Sequence, residues 1–246
     1  MTSTHSTISP AILYWGTPVV LVTSENEDGS DNVCAISSMF CLGRRCVLGF
    51  SLDSKTPGNI ARAGECVVSM PDEGMARQVN ALSWTTGVAE PSAARRAAGY
   101  RFVGDKWAHA GLTRMPSDRV RPASVAECPV QMECRLAAAH GLMEDERGSA
   151  AGDDGGRAGM LVALEMDVVR VRVAHGLRMA GHANRVDPDR WRPMIMSFQQ
   201  LYGLAPGRLA ESALARIDEE HYRPLAADAP GSSADDGGRE DQARAG

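Results

Sequence analysis

The sequence predicts a mainly β protein, a barrel with short helices around it. Three observations carry that expectation. Strand-length apolar runs recur between residues 17 and 177, one short helix is written directly after the third of them, and a long hairpin is spelled out late in the chain. The regular strand–helix alternation of a doubly wound parallel sheet is missing. At 246 residues the chain is long enough for one large domain or two small ones, and a core of useful size can form.

The elements follow in order. "TPVVLVTS" (17–24) is β-branched and compact, as a buried strand requires. Asp28-Gly29 marks a hairpin turn, because glycine accepts a positive φ, and "NVCAISSMF" (32–40) is the returning segment. "CVLGFSLD" (46–53) is a further strand. "PGNIARAGE" (57–65) reads as a short helix, with Pro57 at its first position and Gly64 near its end. "CVVSMP" (66–71) is a strand stopped by proline. "GMARQVNAL" (74–82) and "SAARRAAGY" (92–100) have helical character.

"PVQMECRLAAAHGL" (129–142) and "MLVALEMDVVRVRVAHGL" (160–177) read as partners in a long hairpin. The alternation from Val169 to Val173 puts valines on one face and Arg170 and Arg172 on the other. Between them, the acidic, glycine-rich stretch 143–159 is expected to be a mobile loop. "DPDRWRPMIMSFQQLYGL" (187–204) reads as irregular or helical and carries Trp191 and Tyr202. Residues 226–246 contain no large apolar side chain and predict a disordered tail, which leaves 1–225 as the domain.

Composition excludes some functions. A net charge of -5 with both signs interspersed argues against a nucleic-acid binder. The longest apolar runs fall far short of the roughly 20 residues a spanning helix needs, so no membrane association is expected. The opening "MTSTHSTISP" lacks a basic stretch followed by an apolar one. Cysteines 34, 41, 46, 66, 128 and 134 are therefore expected to be reduced thiols in a cytoplasmic setting.

One stretch stands out chemically. Of 26 basic residues only Lys55 and Lys106 are lysines, and Lys55 lies between Ser54 and Thr56 at the mouth of the predicted helix. With Thr56 as N-cap, the amides of Gly58 and Asn59 point out of the helix start, with the positive end of its dipole behind them. Hydroxyls and a lysine beside such a start suit a dianionic phosphate. On local sequence alone an ordinary capped helix with Lys55 in solvent serves equally well. A second stretch, Asn32-Val33-Cys34-Ala35-Ile36-Ser37-Ser38, is small and polar where a core strand prefers bulk. Small side chains let a flat ligand approach the backbone, with Asn32, Ser37 and Ser38 adding donors and acceptors. Taken alone, it reads as a strand of small residues packed on a neighbour.

Together the two stretches match a family. "TPVVLVTSENEDGSDNVCAISS", "VLGFSLDSKTPGNIARAGECVVSMP" and "DKWAHAGLTRMPSDRVRPASVAECPVQMECRL" resemble, in that order, the flavin reductase-like, FMN-binding split-barrel family in its flavoredoxin-type branch. The resemblance covers most of residues 15–177. It implies a six-stranded, Greek-key-like split barrel, a homodimer, and FMN near the dimer interface. It also implies that Asn32 to Ser38 line the isoalloxazine and that Ser54, Lys55, Thr56 and Asn59 receive the phosphate. The implied activity is an FMN-dependent oxidoreductase using NADH or NADPH as co-substrate. The acceptor would be a small molecule or a flavin, with a partner monooxygenase or electron-transfer protein downstream. The alternative is an FMN-holding electron-transfer or sensory protein that turns over NAD(P)H poorly. No catalytic acid or base is nominated, because the flavin carries the chemistry.

The sequence also departs from the family. A Pro-Pro pair common after the Ser-Ser segment is replaced by "CLGRRC", and an Arg-Gly-Gly-like element before a late tyrosine is replaced by Ser197-Phe198 ahead of Tyr202. Tyr202 reads either as a residue that still reaches the flavin or as an ordinary buried aromatic, the second being favoured. Cys41 and Cys46 flank two arginines that would lower a thiol pKa, so a redox pair is one reading and two packed thiols the other. No zinc-ligand spacing is present. His182 and Asp187 are a further proton-donor pair to weigh against ordinary surface residues.

Overall fold

The computed structural model describes residues 4–143 and 161–217. The chain divides into two units, Met1–Leu209 and Ala210–Gly246. Most of the expected loop (143–159) and the whole expected tail (226–246) lie outside the described residues.

The first unit is built on β1 (Trp15–Pro18), β2 (Val20–Glu25), β3 (Asp31–Ile36), β4 (Met39–Leu42), β5 (Arg45–Ser51), helix α1 (Lys55–Ala63) and β6 (Glu65–Met70). Three short helices and four short strands follow: α2 (Ala76–Leu82), β7 (Thr85–Thr86), α3 (Ala93–Ala97), β8 (Arg101–Phe102), α4 (Lys106–Ala110), β9 (Arg114–Met115) and β10 (Ser124–Val125). The long hairpin β11 (Val130–Leu142) and β12 (Leu161–Val173) precedes β13 (Ile195–Ser197) and β14 (Gln200–Tyr202).

Seven strands form one antiparallel sheet in the order β3-β2-β6-β11-β12-β5-β4. The six expected barrel strands are there, and β4 adds a four-residue edge strand. The sheet curls on itself. Val20, Val22, Leu48, Phe50, Val68, Met132, Leu164 and Met166 from five of its strands fill one interior cluster together with Ile60 of α1. Its outer face carries a second cluster, in which Val19, Leu21 and Val33 meet Val79, Leu82 and Trp107 of α2 and α4. Alternation explains the division: Val20 and Val22 face inward, Val19 and Leu21 outward.

The chain crosses from one edge of the sheet to the other between β3 and β4, through Ser37 and Ser38. This is where the barrel splits, and α1 packs beside the gap against β2, β3 and β5. The crossing is tight. The Ser38 carbonyl accepts the Gly49 amide at 2.8 Å, and a Cβ at Gly49 would lie 2.8 Å from Ser38 Cβ. Gly49→Ala is therefore expected to destabilise the protein by about 1–3 kcal/mol through overpacking, as read by urea unfolding.

Three expectations need correction. The run 17–24 is two strands, because β1 pairs with β13 while β2 joins the barrel. Of the two readings for 187–204 the irregular one holds up to Met194, and the correction is the β13–β14 hairpin that follows, turned by Phe198 and Gln199 at φ 46 and 64. Tyr202 on β14 is exposed rather than buried.

Candidate functional site

Helix α1 starts two residues earlier than its proline suggests. Ser54 is the N-cap, in extended conformation, and its side chain makes no capping hydrogen bond. Thr56 is therefore not the cap but a buried first-turn residue. Pro57 moves to the third helical position, still within the first turn, where a missing amide costs no intrahelical bond. Gly64 closes the helix at φ 74, as expected.

The first turn is fastened to β3 by side chains. Asn32 Nδ2 donates to Thr56 Oγ1 at 3.0 Å, and Thr56 Oγ1 donates to Cys34 Sγ at 3.1 Å. Asn59 ties the same turn to the β2–β3 hairpin, donating to Ser24 Oγ at 3.2 Å and Asn26 Oδ1 at 2.9 Å; its own Oδ1 is buried with no partner among the described residues. Both Asn59 donor bonds thus go to the scaffold. No acidic residue stands in the first turn. Lys55 is largely covered, and its Nζ meets Glu27 Oε2 at 2.6 Å. That pairing holds the Glu27 carboxyl below its ordinary pKa. Glu27 itself is mostly exposed, so it can swing away from Lys55.

Two cations that sequence reading missed complete the cluster. Arg95 of α3 is well covered; it donates to Ser54 Oγ at 2.9 Å, pairs with Asp53 at 2.8 Å and lies 4.5 Å over the Tyr100 ring. Lys106 of α4 is buried, with its Nζ 2.8 Å from the Val33 carbonyl. Burial lowers its pKa, countered by the nearby Cys34 thiol. The next residue, Trp107, donates Nε1 to the Asp31 carbonyl at 3.0 Å. Among the described residues β3 is an edge strand paired only with β2. By strand alternation Asp31, Val33 and Ala35 present their backbone groups to the open edge, and α4 takes the first two carbonyls.

Ala35 is left to offer the open edge. The side chains of Val33 and Ala35 join the outer cluster, and those of Cys34 and Ile36 the interior one. Ser37 is buried, and Ser38 Oγ lies 3.1 Å from Tyr14 Oη. Gly87 closes in from the other side, where a Cβ would fall 2.7 Å from Asn32 Oδ1 and 3.2 Å from Lys55 Cγ. The two stretches singled out in the sequence are thus one place in the fold, with Lys55, Lys106 and Arg95 around it.

The family profile described as flavin reductase like domain matches residues 14–184. The chain belongs to this flavin reductase-like family. The uncharacterized protein YdfE of Bacillus subtilis is 28% identical over 197 residues, 80% of this chain and 88% of that protein. Among solved structures, flavoredoxin of Desulfovibrio vulgaris superposes with a TM-score of 0.64 at 18% identity, over 87% of this chain and 99% of that one. Nitrilotriacetate monooxygenase component B from Bacillus cereus gives 0.58 at 21%, over 80% and 88%. The fold is the split barrel of this family.

The remaining candidates stand apart from this cluster. Arg44 and Arg45 turn away from the thiols: Arg44 donates to the Val168 carbonyl at 2.9 Å and Arg45 pairs with Glu165 at 3.5 Å. The Cys41 thiol is pushed up in pKa, first by the Cys46 thiol and then by burial, which is the reverse of the expected lowering. Asp187 pairs with Arg190 at 3.4 Å. An open concavity of about 460 Å³ is lined by His175, Arg178, Met179 and His182, and none of the flavin candidates borders it. No helix among the described residues is long and apolar enough to cross a membrane.

Proposed function

We propose that this flavin-binding redox protein is an FMN-dependent oxidoreductase that takes hydride from NADH or NADPH and passes electrons to an acceptor. The observation that carries the reading is the meeting of α1 with β3. There the first turn, free of acids, brings Ser54, Lys55 and Thr56 to Asn32 and Cys34, with Arg95 against Ser54. A phosphate at this helix start would find open amides, a hydroxyl and two cations. Lys55 is shared with Glu27 and Arg95 with Asp53, so the phosphate takes its place beside existing ion pairs and competes for Lys55. Asn32 to Ser38 would border the ring, with Ala35 offering the open backbone edge. Asn59 would act by holding the turn, its donor bonds being taken.

FMN, when bound, would supply hydride acceptance at N5 and onward electron transfer. The chain's own residues bind, orient and shield it. Lys106 would place positive charge beside β3 at the ring edge. Anaerobic addition of NADH or NADPH to the FMN-loaded protein is expected to bleach the flavin absorbance. A spectrum unchanged by both nucleotides would favour the electron-transfer or sensory reading.

A homodimer fits the surface. Trp15 and Phe198 meet edge to face with centroids 4.5 Å apart and remain exposed, as do Phe40, Leu42 and Tyr202. Apolar surface of that kind suits a second copy; sedimentation equilibrium reads the mass. A partner monooxygenase as recipient of reduced flavin draws support from the likeness to a monooxygenase component. We place the protein in the cytoplasm and take residues 1–225 as the working domain. Removal of 226–246 is expected to leave flavin content unchanged.

A further inference from the structure

Cys41 and Cys46 stand directly opposite each other in the β4–β5 hairpin. Leu42 and Arg45 close that hairpin around the two-residue turn Gly43-Arg44, with Gly43 at φ 59. In such a hairpin the closing pair exchanges backbone hydrogen bonds, so the next pair is a non-hydrogen-bonded one. Cα atoms there lie about 4.5 Å apart with both Cβ atoms on one face. This falls within the roughly 4.4–6.8 Å that a disulfide spans. Cys41 is exposed and Cys46 is fully buried. Behind Cys46 the Cys134 thiol, and behind that the Cys66 thiol, lie inside the barrel. The flavin site uses none of these sulfurs.

We propose that Cys41 and Cys46 are a reversible modification site, oxidised to a cross-strand disulfide by a low-molecular-weight disulfide. Cys41, as thiolate, attacks one sulfur of R–S–S–R, forming a Cys41–S–S–R bond and releasing the first RS⁻. Cys46, as thiolate, then attacks the Cys41 sulfur and displaces the second RS⁻. Two protein thiols are oxidised to one disulfide, one small disulfide is reduced to two thiols, and the two protein protons end on those thiols. Exposure sets the order, because only Cys41 can meet the small molecule. The strand pairing then holds Cys46 against it without backbone movement. Both thiols are kept protonated, Cys41 by its Cys46 neighbour and Cys46 by Cys134 and burial. The reaction accordingly speeds up as pH rises.

The test treats the full chain with oxidised glutathione at mildly alkaline pH. The sample is then alkylated in denaturant and digested with trypsin, which cuts after Arg44 and Arg45. The Cys41 and Cys46 peptides are expected as one linked species that dithiothreitol separates, with Cys66 and Cys134 alkylated. The Cys41→Ser variant changes an exposed side chain only, and it is expected to give no linked species and an alkylated Cys46. Wild-type Cys41 and Cys46 recovered as separate alkylated peptides would overturn the proposal. A persistent glutathione adduct on Cys41 would do the same, as would a bond from Cys46 to Cys134. None of these readouts depends on flavin.

Discussion

Replacing Glu133 by glutamine is expected to destabilise the protein by about 1–3 kcal/mol, the range for leaving a buried hydrogen-bonding group unsatisfied. Glu133 lies on β11 with no solvent exposure. One carboxylate oxygen accepts the Asp118 amide at 2.9 Å and the other accepts the Arg119 amide at 2.5 Å. Arg172 Nη2 lies 3.6 Å away and also pairs with Asp118. Glutamine keeps the volume but turns an amino group toward one of two backbone donors, and it leaves Arg172 without its buried anion. The consequence reaches the site. The loop that Glu133 anchors continues to Ala123, whose carbonyl accepts Thr23 Oγ1 at 2.6 Å and whose amide donates to Asp31 Oδ1 at 3.2 Å. Asp31 heads β3. Urea unfolding gives the size of the loss. A control, Glu25→Gln, breaks an exposed pair with Arg121 and is expected to cost less than about 1 kcal/mol.

Lys55→Ala is expected to weaken FMN binding by about 10- to 100-fold, since a hydrogen bond to a charged group contributes about 1.5–3 kcal/mol. The ion pair with Glu27 makes a second, opposite outcome expected. Glu27→Gln frees Lys55 and should tighten FMN by about 2- to 5-fold, because an exposed pair is worth at most about 1 kcal/mol. The pair is intact at neutral pH. Lys55 holds the Glu27 carboxyl below its usual pKa, so the contribution is present above the ordinary carboxylate range and is lost as pH falls through the lowered value. Fluorescence titration of apoprotein with FMN reads both variants. An affinity unchanged by either substitution would remove Lys55 from the phosphate site.

Much of this was legible in the sequence, and the reasons are local. Pro57 and Gly64 bracket α1 because each has a fixed backbone preference. The β11–β12 hairpin reads directly from two long, strand-patterned segments. What stayed hidden is non-local or breaks local rules. Phe198 and Gln199 turn a hairpin at positive φ without glycine or asparagine, so 195–202 carried no turn signal. The Thr56 error came from reading Pro57 as the first helical residue, although a proline is tolerated anywhere in the first turn. Arg95 and Lys106 reach the site from helices roughly 40 and 70 residues further along the chain than the strand and turn they touch. Nothing in local pattern marks them. For Lys106 one clue existed, since it is the second of only two lysines. The arginines beside Cys41 and Cys46 misled for the same reason: adjacency in sequence put them next to the thiols, and β12 drew their side chains away.

A phosphate held at the first turn of α1 is tested most directly by comparing FMN with riboflavin. Isothermal titration of the apoprotein is expected to show FMN binding at least about 10-fold more tightly than riboflavin, with Lys55→Ala erasing most of that difference. Equal affinities for the two flavins in the wild-type protein would contradict it.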